Sequence, residues 1–282
     1  MPLQGTICPL RVASHRSRYL LLQKARRGYF RNMKKGLIIV LLALVGLSVN
    51  AQKSISDTTI QFFSFSAQLG LQQSFADLGE RFGFGGLTGG GVMYKTRSNW
   101  TLEGNFGFFF GQEVKEDTIL KPLLTEQGIL IGRDGNPADV FIGARGFLIS
   151  GKVGKIIPVI GPNPNSGLHL SLGMGLMQHK IRIDDRTSAV PQLAGDYKKG
   201  YDRLTNGLML SQSIGYNHFS NNKFFNFYIG TEWYQGFTQS RRSLNFDTGM
   251  RDDRQRFDVM GSIVVRWYIP VYKRQPKEFY FY

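Results

Sequence analysis

Stretch after stretch of this chain alternates apolar and polar residues one for one, and that period of two restricts those stretches to β-strands. Phe63, Phe65, Ala67, Leu69 and Leu71 interleave with Ser64, Ser66, Gln68 and Gly70. Trp100, Leu102, Phe106, Phe108 and Phe110 interleave with Thr101, Glu103, Asn105 and Gly107. The pattern returns at Leu168–Leu176, in Phe225, Phe227, Ile229, Trp233 and Phe237, and again from Phe257 to Ile269. After Gln52 no stretch approaches the ~18 apolar residues of a membrane-spanning helix.

Alternation alone does not say which face is buried. Here the polar set is rich in Gly, Ser and Asn with isolated charges, not in the dense Lys and Glu of a solvated strand. The apolar set carries large aromatics, with Trp100, Phe110, Trp233 and Trp267 near strand ends, as in an interfacial girdle. Both features favour an apolar exterior and a polar interior over a secreted β-sandwich. The expected strands are 59–73, 86–97, 99–111, 139–150, 167–183, 204–217, 224–240 and 255–270. Their even number predicts an all-β fold, an eight-stranded antiparallel up-and-down transmembrane β-barrel over residues 52–272, with each strand longer than the ~10 residues a crossing requires. Gly85, Gly86, Gly89, Gly90 and Gly91 blur the second strand and predict kinks there. The expected outer loops are 74–85, 112–138, 184–203 and 241–254, with turns at 98, 151–166 and 218–223. Segment 151–166 is long and proline-rich for a turn.

The formal charge of +15 would suggest nucleic acid, but its position argues otherwise. Nine Lys and Arg precede residue 36, no acid appears before Asp57, and removing those nine leaves +6. No nucleic-acid partner is expected. Met33-Lys34-Lys35, the apolar run Gly36–Val49 and Val49-Asn50-Ala51 before Gln52 have the three-part form of a cleavable signal peptide over 33–51. Residues 1–32 then read as an over-extended leader, and they hold the only cysteine, Cys8. The mature chain is therefore expected to carry no disulfide, no thiolate metal site and no cysteine nucleophile.

An export signal followed by eight alternating strands resembles the small outer-membrane barrels, the OmpA/OmpX-like group and the outer membrane protein beta-barrel families, over residues 58–270. The resemblance implies fold and a location in the cell outer membrane, and it carries no activity. It departs at the end of the chain, where the last strand stops near Ile269 and a tail, 273–282, closes on Glu-Phe-Tyr-Phe-Tyr.

Gly215–Asn221 contains His218-Phe219-Ser220-Asn221, with Glu232 twelve residues beyond Ser220. This is similar to the His-x-Ser-Asn element of outer-membrane acyl hydrolases, the lipid A deacylases and phospholipase barrels, which implies Ser220 as nucleophile, His218 as base and Glu232 as the group that orients it. Strand counting puts 218–223 at the periplasmic rim, and parity puts His218 outward and Glu232 inward, so the preferred reading is a hairpin and no enzyme. Parity sends Glu103, Arg145, Glu232, Asp258 and Arg266 to the lumen. Eight strands enclose only side-chain width, so these charges are expected to neutralise one another in a closed interior. His169 and His179 lie ten residues apart on one strand, too far to share a metal. The outer-loop acids Asp184, Asp185, Asp196, Asp247, Asp252 and Asp253 form no calcium-loop motif, so no metal and no cofactor is expected. Lys198, Lys199, Arg186, Arg203, Arg241 and Arg242 can meet lipopolysaccharide phosphates. An envelope protein partner is expected at the outer loops 112–138 and 184–203, at 151–166 or at the aromatic tail.

Overall fold

The computed structural model describes residues 58–186, 189–221 and 225–272. The signal segment, Cys8 and the tail 273–282 lie outside the described residues. Strands β1 (Phe62–Phe75), β2 (Phe84–Lys95), β3 (Trp100–Gly111), β4 (Val140–Ile157), β5 (Gly167–Asp185), β6 (Thr205–Phe219), β7 (Asn226–Ser240) and β8 (Gln255–Val271) follow in chain order. Each pairs antiparallel with its neighbour, and β8 pairs back onto β1, so the sheet closes as a barrel without a free edge.

Closure matters because a lipid-exposed sheet edge would leave backbone N–H and C=O groups without water. The alternation then sorts the side chains. Leu69, Leu102, Met174, Leu208, Ile263 and Trp267 stand exposed on the exterior, while Ser64, Gln68, Glu103, Ser171, Ser211, Glu232 and Arg266 are buried inside. The core of this protein is the inward face, where these polar residues pack among Leu87, Met93, Phe109, Leu148, Met177, Met209 and Met260.

The strands differ from expectation in detail. The glycines of β2 make no bulge, since Phe84 to Lys95 keep one unbroken register with β1. Instead, a Cβ on Gly89 would collide with the Phe106 carbonyl, so the missing side chain admits a close β2–β3 approach. The segment 151–166 is not one long turn either. β4 continues to Ile157, pairing through Lys155↔Leu170 and Ile157↔Leu168, and the connection shrinks to 158–166.

The long connections, 76–83, 112–139, 186–204 and 241–254, gather at one end, the outer end by the usual asymmetry of such barrels. The first carries a one-turn helix, α1 (Ala76–Arg81), with Asp77 in its first turn and Arg81 in its last, each favourable against the helix dipole. The turns 96–99, 158–166 and 220–225 lie at the other end. In the first of these Asn99 takes φ 63, a left-handed conformation that asparagine tolerates.

Candidate functional site

The lumen holds a charge network built from strands on opposite sides of the barrel. Arg266 on β8 donates through Nε to Gln68 Oε1 at 2.7 Å. Its Nη1 lies 3.5 Å from Glu103 Oε2 on β3, and its Nη2 pairs with Glu232 Oε1 on β7. Lys152 Nζ, from β4, approaches that same Glu232 oxygen at 3.3 Å. The Tyr234 hydroxyl donates to the other Glu232 oxygen. Glu103 is further held by His169 Nε2 at 3.1 Å and by the Thr101 hydroxyl at 3.4 Å. Arg266 also lies 5.1 Å from the Tyr228 ring centroid, and Lys152 lies 5.3 Å from that of Tyr234. Two carboxylates face two cations, all of them buried.

A second polar cluster sits toward the outer end, where Asp258 accepts from Thr238 and lies 2.8 Å from His179 Nε2. Among the five charges that parity assigned to the lumen, the structure brings Glu103, Glu232 and Arg266 together and puts Asp258 in this separate cluster. Arg145 is a correction. It pairs across the ladder with Phe110, whose side chain is exposed outside the barrel, and its guanidinium lies 5.7 Å from the Phe108 ring centroid. His169 and His179, on the polar face of their strand, also reach the lumen, and Lys152 joins them from a stretch that the sequence reads as a turn.

Polar contacts tie the connections together at both ends of the barrel. At the inner end, Asn165 Oδ1 accepts from Ile60 N and from Lys95 Nζ, each at 2.9 Å, and its Nδ2 donates to the Thr58 carbonyl at 2.9 Å. Asn163 Nδ2 reaches the Phe219 carbonyl at 2.5 Å. The proline-rich connection 158–166 thus joins the segment before β1, β2 and β6.

At the outer end, ion pairs tie the loops in series. Arg81 of α1 meets Glu116 at 2.6 Å. The other Glu116 oxygen meets Arg203 at 3.0 Å, and Arg203 meets Asp247 at 2.6 Å. Arg254 closes the series on Asp77 at 2.5 Å. Leu78, Phe82, Ile119, Leu120 and Leu193 are buried beneath. Burial pushes the Glu116 carboxyl up, but the charges and hydrogen bonds of Arg81 and Arg203 outweigh this and hold it below its ordinary value.

The exterior of the closed sheet is a continuous apolar belt. Phe65, Leu69, Leu71, Leu102, Phe106, Ile149, Leu172, Leu176, Ile214, Ile229, Ile263 and Val265 are all exposed there, on strands that each hydrogen-bond to a neighbour on both sides around the ring. Water would not tolerate such a surface, and hydrocarbon requires it. The chain is an eight-stranded outer-membrane β-barrel.

No protein-family model matches the sequence, and no curated protein does. Among solved structures, the chain is similar to Ail, the attachment invasion locus protein of Yersinia pestis in complex with the heparin analogue sucrose octasulfate. The identity is 11%, the match covers 74% of this chain and 97% of that one, and the TM-score is 0.41. It is similar to Neisserial surface protein A at 10% identity, over 73% of this chain and 96% of that one, with a TM-score of 0.40. OprG from Pseudomonas aeruginosa follows at 13% identity, 77% and 99% coverage and a TM-score of 0.33.

The His218, Ser220 and Glu232 constellation is not assembled in the barrel. His218 faces outward, stacked on Phe227 with centroids 4.9 Å apart. Glu232 faces inward and is taken by Arg266, Lys152 and Tyr234. Ser220 sits in the turn after β6, its N–H donating to Asn226 Oδ1 at 3.1 Å. The carboxylate cannot orient an imidazole on the opposite face of the sheet.

Proposed function

We propose that this barrel is a non-conducting, non-enzymatic envelope component that binds a partner through its outer loops. The observation that carries the reading is the series of ion pairs from α1 through Glu116, Arg203 and Asp247, which draws segments from all four outer connections into one platform. A platform held in place before binding loses little conformational freedom when a partner docks. It also presents apolar side chains that have no lipid to face. Ile129 and Ile131 are 44% and 51% exposed, and Met250 is 67% exposed. Apolar residues ringed by fixed charges are the usual make-up of a docking surface. The aromatic tail 273–282, which closes on Phe279, Tyr280, Phe281 and Tyr282, is a second proposed contact, on the periplasmic side.

Photo-crosslinking amino acids at 129, 131 and 250 test the platform in intact cells. A discrete protein adduct at these sites, absent from a control at lipid-facing Leu69, is the expected result. Adducts of equal yield at all four positions contradict it. Deletion of 273–282 is expected to remove a co-purifying envelope protein, and unchanged co-purification rules the tail out. Ser220→Ala is expected to leave lipid A and phospholipid acylation as they are in the parent strain, by mass spectrometry of the extracted lipids; a changed acyl pattern overturns the non-enzymatic reading.

A further inference from the structure

The outward-facing cations of the barrel wall are distributed unevenly. Near the outer rim β8, β1, β2 and β3 present Phe257, Phe75, Phe84 and Phe110, all exposed aromatics. At the corresponding rim of β4 and β5 stand Arg145, Lys180 and Arg182, with Arg241 just beyond β7.

Most basic residues around this rim are already neutralised. Arg182 is held by Asp184 at 2.6 Å, Arg186 by Asp139 at 3.3 Å and Lys199 by Asp196 at 2.8 Å. Arg203 is consumed by Glu116 and Asp247, and Arg242 by Asp202. Three cations stand apart. Arg145 has no carboxylate partner among the described residues. Lys180 is only 3.9 Å from Asp202, an acid that already takes Arg242 Nε and Nη2 at 2.6 and 2.5 Å. Arg241 Nε bonds the neutral Asn206 Oδ1 at 2.5 Å.

Two of these cations oppose each other. Arg145 and Lys180 are register partners on β4 and β5, and like charges directly opposite on one face destabilise a strand pair unless an anion lies between them. Their height on the wall identifies that anion. Arg145 also pairs with Phe110 at the outer end of β3, which puts it level with the aromatic rim where headgroups meet hydrocarbon. Directly below, Ile149, Met174, Leu176 and Leu208 are exposed, the last at 70%, and offer an apolar wall to acyl chains.

We propose that this sector is a binding site for the phosphate of an outer-leaflet lipid, gripped by Arg145, Lys180 and Arg241 while its chains lie on β4, β5 and β6. A guanidinium can bond phosphate oxygens in pairs, and the lysine and second arginine add charge-assisted contacts. None of the three cations belongs to the ion-pair series of the loop platform, so the two proposals stand or fall separately.

The test uses the full barrel in phosphatidylcholine nanodiscs doped with bis-phosphorylated lipid A or with the same lipid stripped of its phosphates, and native mass spectrometry counts the lipids retained. Preference for the phosphorylated lipid on the order of a hundredfold is expected, at roughly fivefold per cation. Arg145→Gln/Lys180→Gln/Arg241→Gln is expected to abolish it. Lys155→Gln, which lies outward near the opposite rim, is expected to leave it intact. Heat-modifiable migration shows which variants are folded, and the single Arg145→Gln replaces the triple one if that fails. Equal retention of the two lipids, or a folded variant that keeps the preference, overturns the proposal. So does displacement of the lipid by millimolar inorganic phosphate, which would make the site one for free anions.

Discussion

Arg266 sits between two carboxylates, and neither has water to turn to. Its removal leaves Glu103 and Glu232 as buried carboxylates whose remaining basic partners are Lys152 and His169. Arg266→Met is therefore expected to destabilise the barrel by on the order of 3–5 kcal/mol, read as the urea midpoint of refolding in detergent micelles. Lys152→Met should cost less, because Glu232 keeps Arg266 and Tyr234. Equal midpoints for native protein and Arg266→Met would mean that the network is not what organises the lumen. Arg145→Gln, on the lipid side, should stay within about 0.5 kcal/mol of the native value. That contrast follows from a side chain whose direction the sequence does not reveal. Around Arg145 the run Val140-Phe141-Ile142-Gly143-Ala144 is apolar on both parities, so alternation loses its phase there. Glu103, Glu232 and Arg266 lie within clean alternation, and their inward direction can be read directly. Lys152 is invisible for a different reason. Lys152 faces in and Lys155 faces out, so the β4 extension carries a cation on each face and reads as a loop.

At the scale of elements, the connections do as much as the strands. The Pro-Asn-Pro-Asn-Ser stretch within 158–166 reads as a turn, and its chemistry gives no hint that Asn163 and Asn165 supply the inner closure. The backbone groups they satisfy lie far off in the chain, before β1 and at the end of β6, where no local pattern exposes them. Asn165→Ala leaves Lys95 Nζ without its side-chain acceptor, at an expected cost of about 2 kcal/mol. Faster amide exchange at Ile60 checks this, and unchanged exchange would refute it. The outer loops depend on pH in a defined direction. Glu116 has its folded value below the ordinary 4.5, so its contribution is complete above 4.5 and is lost as pH falls through the lower, folded value. Limited proteolysis of 112–123 should be slow at neutral pH and accelerate as the pH is taken below 4.5 and the carboxylate is protonated. Glu116→Gln should already be fast at neutral pH. A native loop equally resistant at both pH values contradicts the ion-pair series.

For the whole molecule, the inverted pattern and the narrow barrel have one common consequence. Eight strands leave room only for side chains, and the inward charges must then face one another. The polar contacts fall in three tiers, the asparagine bonds below, the Glu103–Arg266–Glu232–Lys152 network in the middle, and the loop platform with its buried Leu78 and Phe82 above. Strand number, order and polarity were legible because a period of two survives in most strands. The tiers were not, because each is assembled from residues far apart in the chain. The proposal of a sealed, partner-binding barrel rests on them together, and single-channel recording in planar bilayers tests it most directly. The refolded barrel is expected to give a flat baseline at every applied voltage; reproducible unitary current steps would contradict it.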